Sequence, residues 1–574
     1  MSNPCSMIRQ PIATTVASSK DPDRFPHSGT ALVVRLLADR VNWLAVVDAL
    51  LPWDSARSKI SPSAVLLTLV MNVLTQRNPL YSVETWAATL PLALLWGDSV
   101  QASQFNDDAL GRVLEDLANH GPKLLATLGL RFQGVHPTAG HALHSDTTAY
   151  SLMGDYPSAP TGPTAPVALT WGHSKDHRPD LRQMMAGVTM DAEGCVIAGK
   201  MLSGNTSDQT WNADWVKQLE ADFSEDFFKN KCYIADSAMV FPETIKRIRA
   251  AGMHWLGRLS ARFNLCDELK EQAWAEAKEA WVELGPLAQT PTPKSATYQA
   301  QTFEVTFADG PARAFVYHSL SLDRKKEHTL QREIERERKR MESLQKKVTG
   351  KTFRSAFDAE QAVAVLQGSH PFRWLTVSTT VVPQEALVKH RGRPKAGDLI
   401  EIRTEYTIQF QVTEPLPEAI QAERERRSSF ILLTSNLALD AKTALQEYKG
   451  QDQNEHGFRW TKSPIHLGAF WLEKPERIVG LGYVLLLALQ FARFMRAVVR
   501  AELKDQPPLE LPYRKVKRPS ETVILEAFRD LDLRRQSNEI FTWYQWIAVL
   551  PYQRRLLEAL GMPIDRGLVW EPSG

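Results

Sequence analysis

Three acidic residues in this sequence stand where an acid is either costly or conspicuous. Asp146 lies in Leu143-His144-Ser145-Asp146-Thr147-Thr148, and Asp236 in Tyr233-Ile234-Ala235-Asp236-Ser237. Each is inside or at the end of an apolar, strand-forming run. An isolated ionised carboxylate there is expensive unless it is paired or bound to a cation. One such aspartate taken alone reads as readily as a strand-end cap. The third acid, Glu455, belongs to the polar stretch 448–462. Tyr448, Glu455 and Lys462 recur every seven residues, about 700° apart on a helix, so Tyr448, Gln451, Glu455, Arg459 and Lys462 share one face. A carboxylate flanked by cations on one stripe suits a site where metal and phosphate meet. It equally suits a helix laced with i,i+4 pairs. Gly450 and Gly457 weaken that helix, so propensity alone does not account for the stripe.

The elements that must position these acids follow from the change of period along the chain. Residues 1–27 hold four prolines and many serines and read as a loose, disordered tail. From 28 to 138 apolar residues recur at helical spacing, with Ser61-Pro62 as a helix start, which gives an all-helical domain. Strand-like runs then appear at 142–151, 165–171, 184–190 and 196–202, with Asp191-Ala192-Glu193-Gly194 as a hairpin turn. A helix over 209–223, a strand over 232–236, a helix over 242–251 and a strand over 254–259 follow. Three strands, a helix, a strand, a helix and a strand is the order of a ribonuclease-H-like core. In that order the first and fourth strands, which carry Asp146 and Asp236, lie side by side. The expected organisation is α/β: a core over 139–260 and 426–503, an intervening domain over 261–425, and a helical C-terminal tail over 504–574. A continuous helix is expected over 441–462, ended by Pro464.

Charge and composition narrow the class. The 574 residues are 43% hydrophobic and 23% charged, with a formal net charge of only +2, so the distribution of charge matters more than its sum. Residues 323–354 carry 12 Lys/Arg against 6 Asp/Glu on an amphipathic pattern of Leu330, Ile334, Met341, Leu344 and Val348. This is a helix with a basic outer face, either packed on a neighbour or touching DNA. His390-Arg391-Gly392-Arg393-Pro394-Lys395 is either an ordinary basic loop or an arm whose Arg391 and Arg393 enter a narrow minor groove. His173-Ser174-Lys175-Asp176-His177 resembles a metal cluster, but its neighbours mark a loop, and His144 reads as a packed strand residue. Four scattered cysteines without a CxxC pair fit a reducing cytoplasm and offer no zinc site. The apolar run 478–491, closed by Arg493 and Arg496, is too short to cross a bilayer and reads as part of a long buried helix over about 476–500. No membrane partner is expected.

Taken together, these blocks resemble the DDE transposases of bacterial insertion sequences, in the group marked by a Tyr-x2-Arg-x3-Glu-x6-Lys signature. Tyr448, Glu455 and Lys462 match its spacing, whereas Gln451 stands where the signature has Arg. The stretches 172–181, 204–208 and 234–238, with the helical N-terminal segment and the tail, resemble a long-chain branch of the group. The resemblance implies a catalytic and metal-binding triad of Asp146, Asp236 and Glu455. The 219 positions separating the last two would then house a mainly β insertion that helps hold the transposon end. It further implies two Mg²⁺ ions (Mn²⁺ can substitute) roughly 3.5–4 Å apart, with Lys462 and Tyr448 near the DNA phosphates, Gln451 replacing the signature's Arg there; the shared stripe adds Arg459 to that set. The implied partners are double-stranded DNA, both transposon ends and target, and a homodimer or larger assembly in the synaptic complex. The implied activity is cleavage at terminal inverted repeats followed by strand transfer, in a bacterial, nucleoid-associated cytoplasmic setting. Two other expectations remain open: a nuclease of the same fold without strand transfer, and a catalytically inactive DNA-binding relative.

Overall fold

The computed structural model describes residues 21–569 except 57, 139, 154–166, 175–177, 277, 288–294, 349, 369–372, 389–401, 414–416, 464–471, 473, 540 and 566. Two compact units divide the chain: one of Met1–Gly257 with Gln446–Gly574, the other Arg258–Leu445.

The first unit opens with helices α1 (Gly29–Arg40), α2 (Trp43–Leu50), α3 (Pro62–Leu74) and the long α4 (Asp107–Val135). The Ser61-Pro62 signal starts α3 as expected. Proline at the first turn loses no helical hydrogen bond, and the Ser61 hydroxyl accepts from the Ala64 amide at 3.3 Å. A mixed sheet follows, made of β1 (Ala142–Leu152), β2 (Arg182–Asp191), β3 (Val196–Ser203), β4 (Cys232–Ala235) and β5 (His254–Arg258). Within this unit their spatial order is β3-β2-β1-β4-β5. Strands β1 to β3 pair antiparallel, as the tight turn at Asp191–Gly194 requires, while β1–β4 and β4–β5 are parallel, joined through α5 (Asp208–Asp222) and α6 (Pro242–Ala250). Among the described residues of the run 165–171 no strand forms; Thr170 makes an isolated bridge to Gln183.

Strand parity divides the sheet cleanly. On one face, Tyr233 donates to Asn212 of α5 at 2.9 Å and the Trp215 indole donates to Thr189 at 2.7 Å. On the other face lie α4 and the apolar helix α9 (Pro475–Glu502), bridged to β3 by Gln490, whose amide donates to the Leu125 and Val196 carbonyls at 3.1 and 2.9 Å. Helix α9 matches the long apolar helix expected over about 476–500. It is long and apolar enough to cross a membrane, yet nearly all of it is buried inside the protein. Arg493 and Arg496, which close the apolar run, sit within this helix, buried at 0% and 4% exposure.

Two terminal expectations are corrected. Residues 504–574 are not a helical tail: besides helices α10 (Glu521–Arg529) and Pro551–Ala559, they contain strands Leu509–Leu511, Arg514–Val516, Asp532–Ser537 and Thr542–Ile547. Residues 21–27 are not loose either. Arg24–Phe25 pairs antiparallel with Leu533–Arg534, and Asp21 and Asp23 form ion pairs with Arg534 and Arg535 at 2.8 and 2.7 Å.

The second unit is mixed rather than mainly β. Strands Thr297–Phe307, Gly310–Ser319 and Ser429–Thr434 form an antiparallel set, and Thr376–Leu387 pairs with Ile402–Thr413. The basic helix spans Leu320–Val348 and buries Leu330, Ile334 and Met341. It packs on helix Pro417–Ser428, where Arg427 pairs with Glu333 at 2.8 Å and Arg424 pairs with Glu327. Burial raises the Glu423 carboxyl, but hydrogen bonds from Arg426 and Arg427 more than offset that and hold it at about 2. Part of the basic charge of this helix pair is therefore neutralised internally.

Candidate active site

Strand register brings the two aspartates to the same level of neighbouring strands. Ala142, Leu143 and His144 of β1 face Cys232, Tyr233 and Ile234 of β4, and the same offset sets Asp146 opposite Asp236, one residue beyond the end of β4. Both carboxylates also act on one group: burial pushes the Tyr233 phenol up, and the charges of Asp236 and Asp146 push it further. Each aspartate additionally serves its own backbone. Asp146 accepts from the Thr147 amide at 2.7 Å and Asp236 from the Ala238 amide at 3.0 Å. Asp236, just past the end of β4, thus serves as a strand-end cap, whereas Asp146 lies inside β1.

Even-numbered residues of β1 put Asp146 on the face opposite Tyr233 and α5, and the polar helix lies over that face. It is not the continuous helix expected over 441–462. Helix α7 (Ala441–Lys449) ends at Gly450, and α8 (Asp452–Lys462) starts afresh. The joint is tightened by three-residue hydrogen bonds, from the Gln453 amide to the Gly450 carbonyl and from the Asn454 amide to the Gln451 carbonyl, both 2.9 Å. Tyr448 therefore lies across a joint from Glu455, and the seven-residue phase is not continuous between them. Glu455 and Arg459 are exposed on α8, while Asn454, Gly457, Phe458 and Thr461 turn inward. Acids in the first turn and Arg459 with Lys462 in the last also suit the helix dipole.

Contacts with β1 and β2 seat α8 and the joint that precedes it. Asn454 donates to the His144 carbonyl at 3.0 Å, and the Tyr150 hydroxyl shares a hydrogen bond with Thr461 at 2.9 Å. The Lys462 ammonium stands 6.0 Å from the Tyr150 ring centre. At Gly450 and Gly457 backbone meets sheet: a Cβ on Gly450 would lie 2.7 Å from the His144 ring and one on Gly457 2.9 Å from Met190. These glycines, seven apart like the polar stripe, make the opposite, sheet-facing stripe. Burial lowers His144 to about 4, so it is neutral at ordinary pH, and its Nδ1 has no hydrogen-bond partner among the described residues.

A buried clamp that the sequence did not disclose holds the start of α8. Arg493 donates to the side-chain and main-chain oxygens of Gln453, each at 3.3 Å, and Arg496 donates to the same side-chain oxygen at 3.1 Å. Arg496 also donates to the Glu193 carbonyl in the β2–β3 turn. Glu521, at the first turn of α10, neutralises the pair at 3.7 and 3.5 Å. Two arginines interrupting an apolar run were the available signal, since buried guanidinium groups demand acceptors.

The remaining sequence candidates fall as follows. Gln451 sits at the α7–α8 joint, half-buried. Arg391 and Arg393 lie outside the described residues, as do Lys175, Asp176 and His177. Among the described residues, no three His, Cys, Asp or Glu side chains are gathered tightly enough to hold an ion. The donor chemistry still fits a hard dication: three carboxylates supply oxygen ligands, two of them in register on adjacent strands.

Acids at neighbouring parallel strands and on a helix packed over the same sheet are the residue types that phosphate chemistry uses. The family comparison agrees. Residues 160–491, more than half the chain, match the transposase DDE domain, and the protein belongs to that family. The match includes Asp236 and Glu455 but begins after Asp146. Residues 30–128 match a domain of unknown function, DUF4277. No curated protein matches the sequence.

Proposed function

We propose that this transposase binds the terminal inverted repeats of an insertion sequence, cuts DNA there and joins the freed ends to a target. Asp146, Asp236 and Glu455 are its catalytic acids. The single observation supporting this reading is geometric: the β1–β4 register carries Asp146 to the level of Asp236 at the end of β4, and α8, which bears Glu455, is seated on β1 through Asn454. The strand order β3-β2-β1-β4-β5, with antiparallel and parallel pairs in those places, supports a ribonuclease-H-like core, and residues 258–445 would be its insertion.

The three carboxylates would hold Mg²⁺ or Mn²⁺, which when bound supplies charge neutralisation and an activated oxygen nucleophile. Glu455 would swing inward from its exposed position to join the aspartate pair. Lys462 and Arg459 would steady phosphates along the exposed face of α8, with Tyr448 and Gln451 at its approach. Gln451 offers an amide where a guanidinium would grip a phosphate more firmly. A dimer or larger assembly would bring two ends together, in the bacterial cytoplasm.

A second reading, an inactive DNA-binding relative, draws support from the open arrangement of the acids. The test is cleavage of DNA carrying the element's own ends, comparing the parent with Asp236→Asn. Cutting that requires Mg²⁺ or Mn²⁺ and vanishes in the variant supports catalysis. Binding without cutting under any metal favours the inactive relative. Cutting without joining leaves a nuclease.

A further inference from the structure

Beyond the family-matched residues, the chain builds a projection that nothing in the acidic site requires. Strands Leu509–Leu511 and Arg514–Val516 form a two-stranded antiparallel ribbon in which Leu511 faces Arg514, so its loop is Pro512-Tyr513. The base is fixed: Leu509 is 1% exposed, and Arg555 donates to the carbonyls of Pro507 and Pro508 at 2.7 and 3.0 Å. The tip is not covered. Tyr513 is 100% exposed, and Arg514, Lys515, Lys517 and Arg518 are exposed beside it. Lys515 pairs with Glu510 across the ribbon at 2.6 Å, so the local charge stays strongly positive.

The loop chemistry argues against a purely structural turn. Two-residue hairpin loops favour positive φ, normally supplied by Asn and Gly, because that twist matches the strands. Proline cannot adopt it, and neither Pro512 nor Tyr513 has a positive φ. Local stability has been given up in favour of a rigid residue that presents an aromatic ring to solvent. Conflicts of this kind between local preference and fold mark functional positions.

We propose that this ribbon is a DNA-contacting arm, which grips the phosphate backbone of a duplex through Arg514 and Lys517 and lays Tyr513 against the sugar–phosphate wall. Charge selects the partner: a cationic ribbon with one aromatic tip complements a polyanion, whereas a protein partner would call for a broader apolar face. The proposal rests on the reading that this chain acts on DNA, but it concerns a surface remote in sequence from the acids and needs no metal.

The test uses the full chain and fluorescence anisotropy, with an element-end duplex and a scrambled duplex, across a range of salt. The variants are Tyr513→Ala and the double Arg514→Gln/Lys517→Gln. With unchanged melting temperature, the double variant should bind both duplexes more weakly by similar factors. Its log–log salt slope should fall by about 2, from about 0.9 per lost phosphate contact. Tyr513→Ala should weaken binding with little change in slope. A double variant with the parent's affinity and slope overturns the proposal, as does one altered only in self-association. A parent that binds neither duplex overturns the DNA reading as well, and so separates the two failures.

Discussion

Gly450→Ala tests whether the seat of α8 governs catalysis. The added Cβ would lie 2.7 Å from the His144 ring and 2.9 Å from the Glu447 carbonyl. Ordinary carbon contacts are about 3.5 Å, so the helix or the strand must give by roughly 0.8 Å. The His144 ring is 1% exposed and fixed on a sheet strand, so the displacement falls mainly on the start of α8, five residues before Glu455. Overpacking of this kind costs about 1–3 kcal/mol, which a chain of this size should tolerate. A misplacement near 1 Å at reacting groups costs about 10²-fold in rate. The expected result is a folded protein with parental DNA affinity and cleavage reduced between 10- and 100-fold, measured as single-turnover nicking of a labelled end. Adding His144→Ala should restore much of that rate by opening space for the methyl group. Parental cleavage by Gly450→Ala would refute the reasoning, and so would a double variant no better than the single one.

Three further outcomes follow from the same geometry. His144, lowered to about 4 by burial, stays neutral while its unfolded counterpart protonates near 6.5. Its contribution is therefore complete above that value and declines as pH falls from about 6.5 toward about 4. By linkage the loss is about 3 kcal/mol, and denaturant melts of His144→Leu should show a correspondingly flatter acid limb. Glu521→Gln leaves Arg493 and Arg496 buried without their carboxylate, so stability should drop by about 3–5 kcal/mol in urea melts, the neutral amide recovering little of it. In the second unit, Leu330→Ala empties a fully buried position on the basic helix and should cost about 2–5 kcal/mol, seen as an earlier proteolytic release of that unit.

The site was legible in the sequence to the extent that periodicity and cost speak. Apolar strands interrupted by Asp146 and Asp236 announced both the sheet and the anomaly within it, because period-2 patterns and buried acids are local signals. Register was not local: the equal offset of 90 residues between the paired strands appears only when β1 and β4 lie together. The polar helix was read one step too simply. Helical phase carries from Tyr448 to Lys462 on paper, but the backbone tightens at Gly450, where the fold must pass close to His144. The terminal segments misled for a related reason. Arg24–Phe25 and residues 509–547 are short strands whose partners lie far away in sequence or whose turns lack glycine, and short polar strands leave little periodic trace. Arg493 and Arg496 looked like the end of an apolar run because the acceptors that let them be buried belong to Gln453, Glu193 and Glu521.

That clamp has a consequence for the order in which the polypeptide is made. Glu521 is supplied by a segment that leaves the ribosome after every acid of the site has emerged. Until it does, two guanidinium groups within α9, which hold Gln453 at the start of α8, lack their counter-ion. A nascent chain thus carries all three acids before the clamp that braces the start of α8 gains its counter-ion.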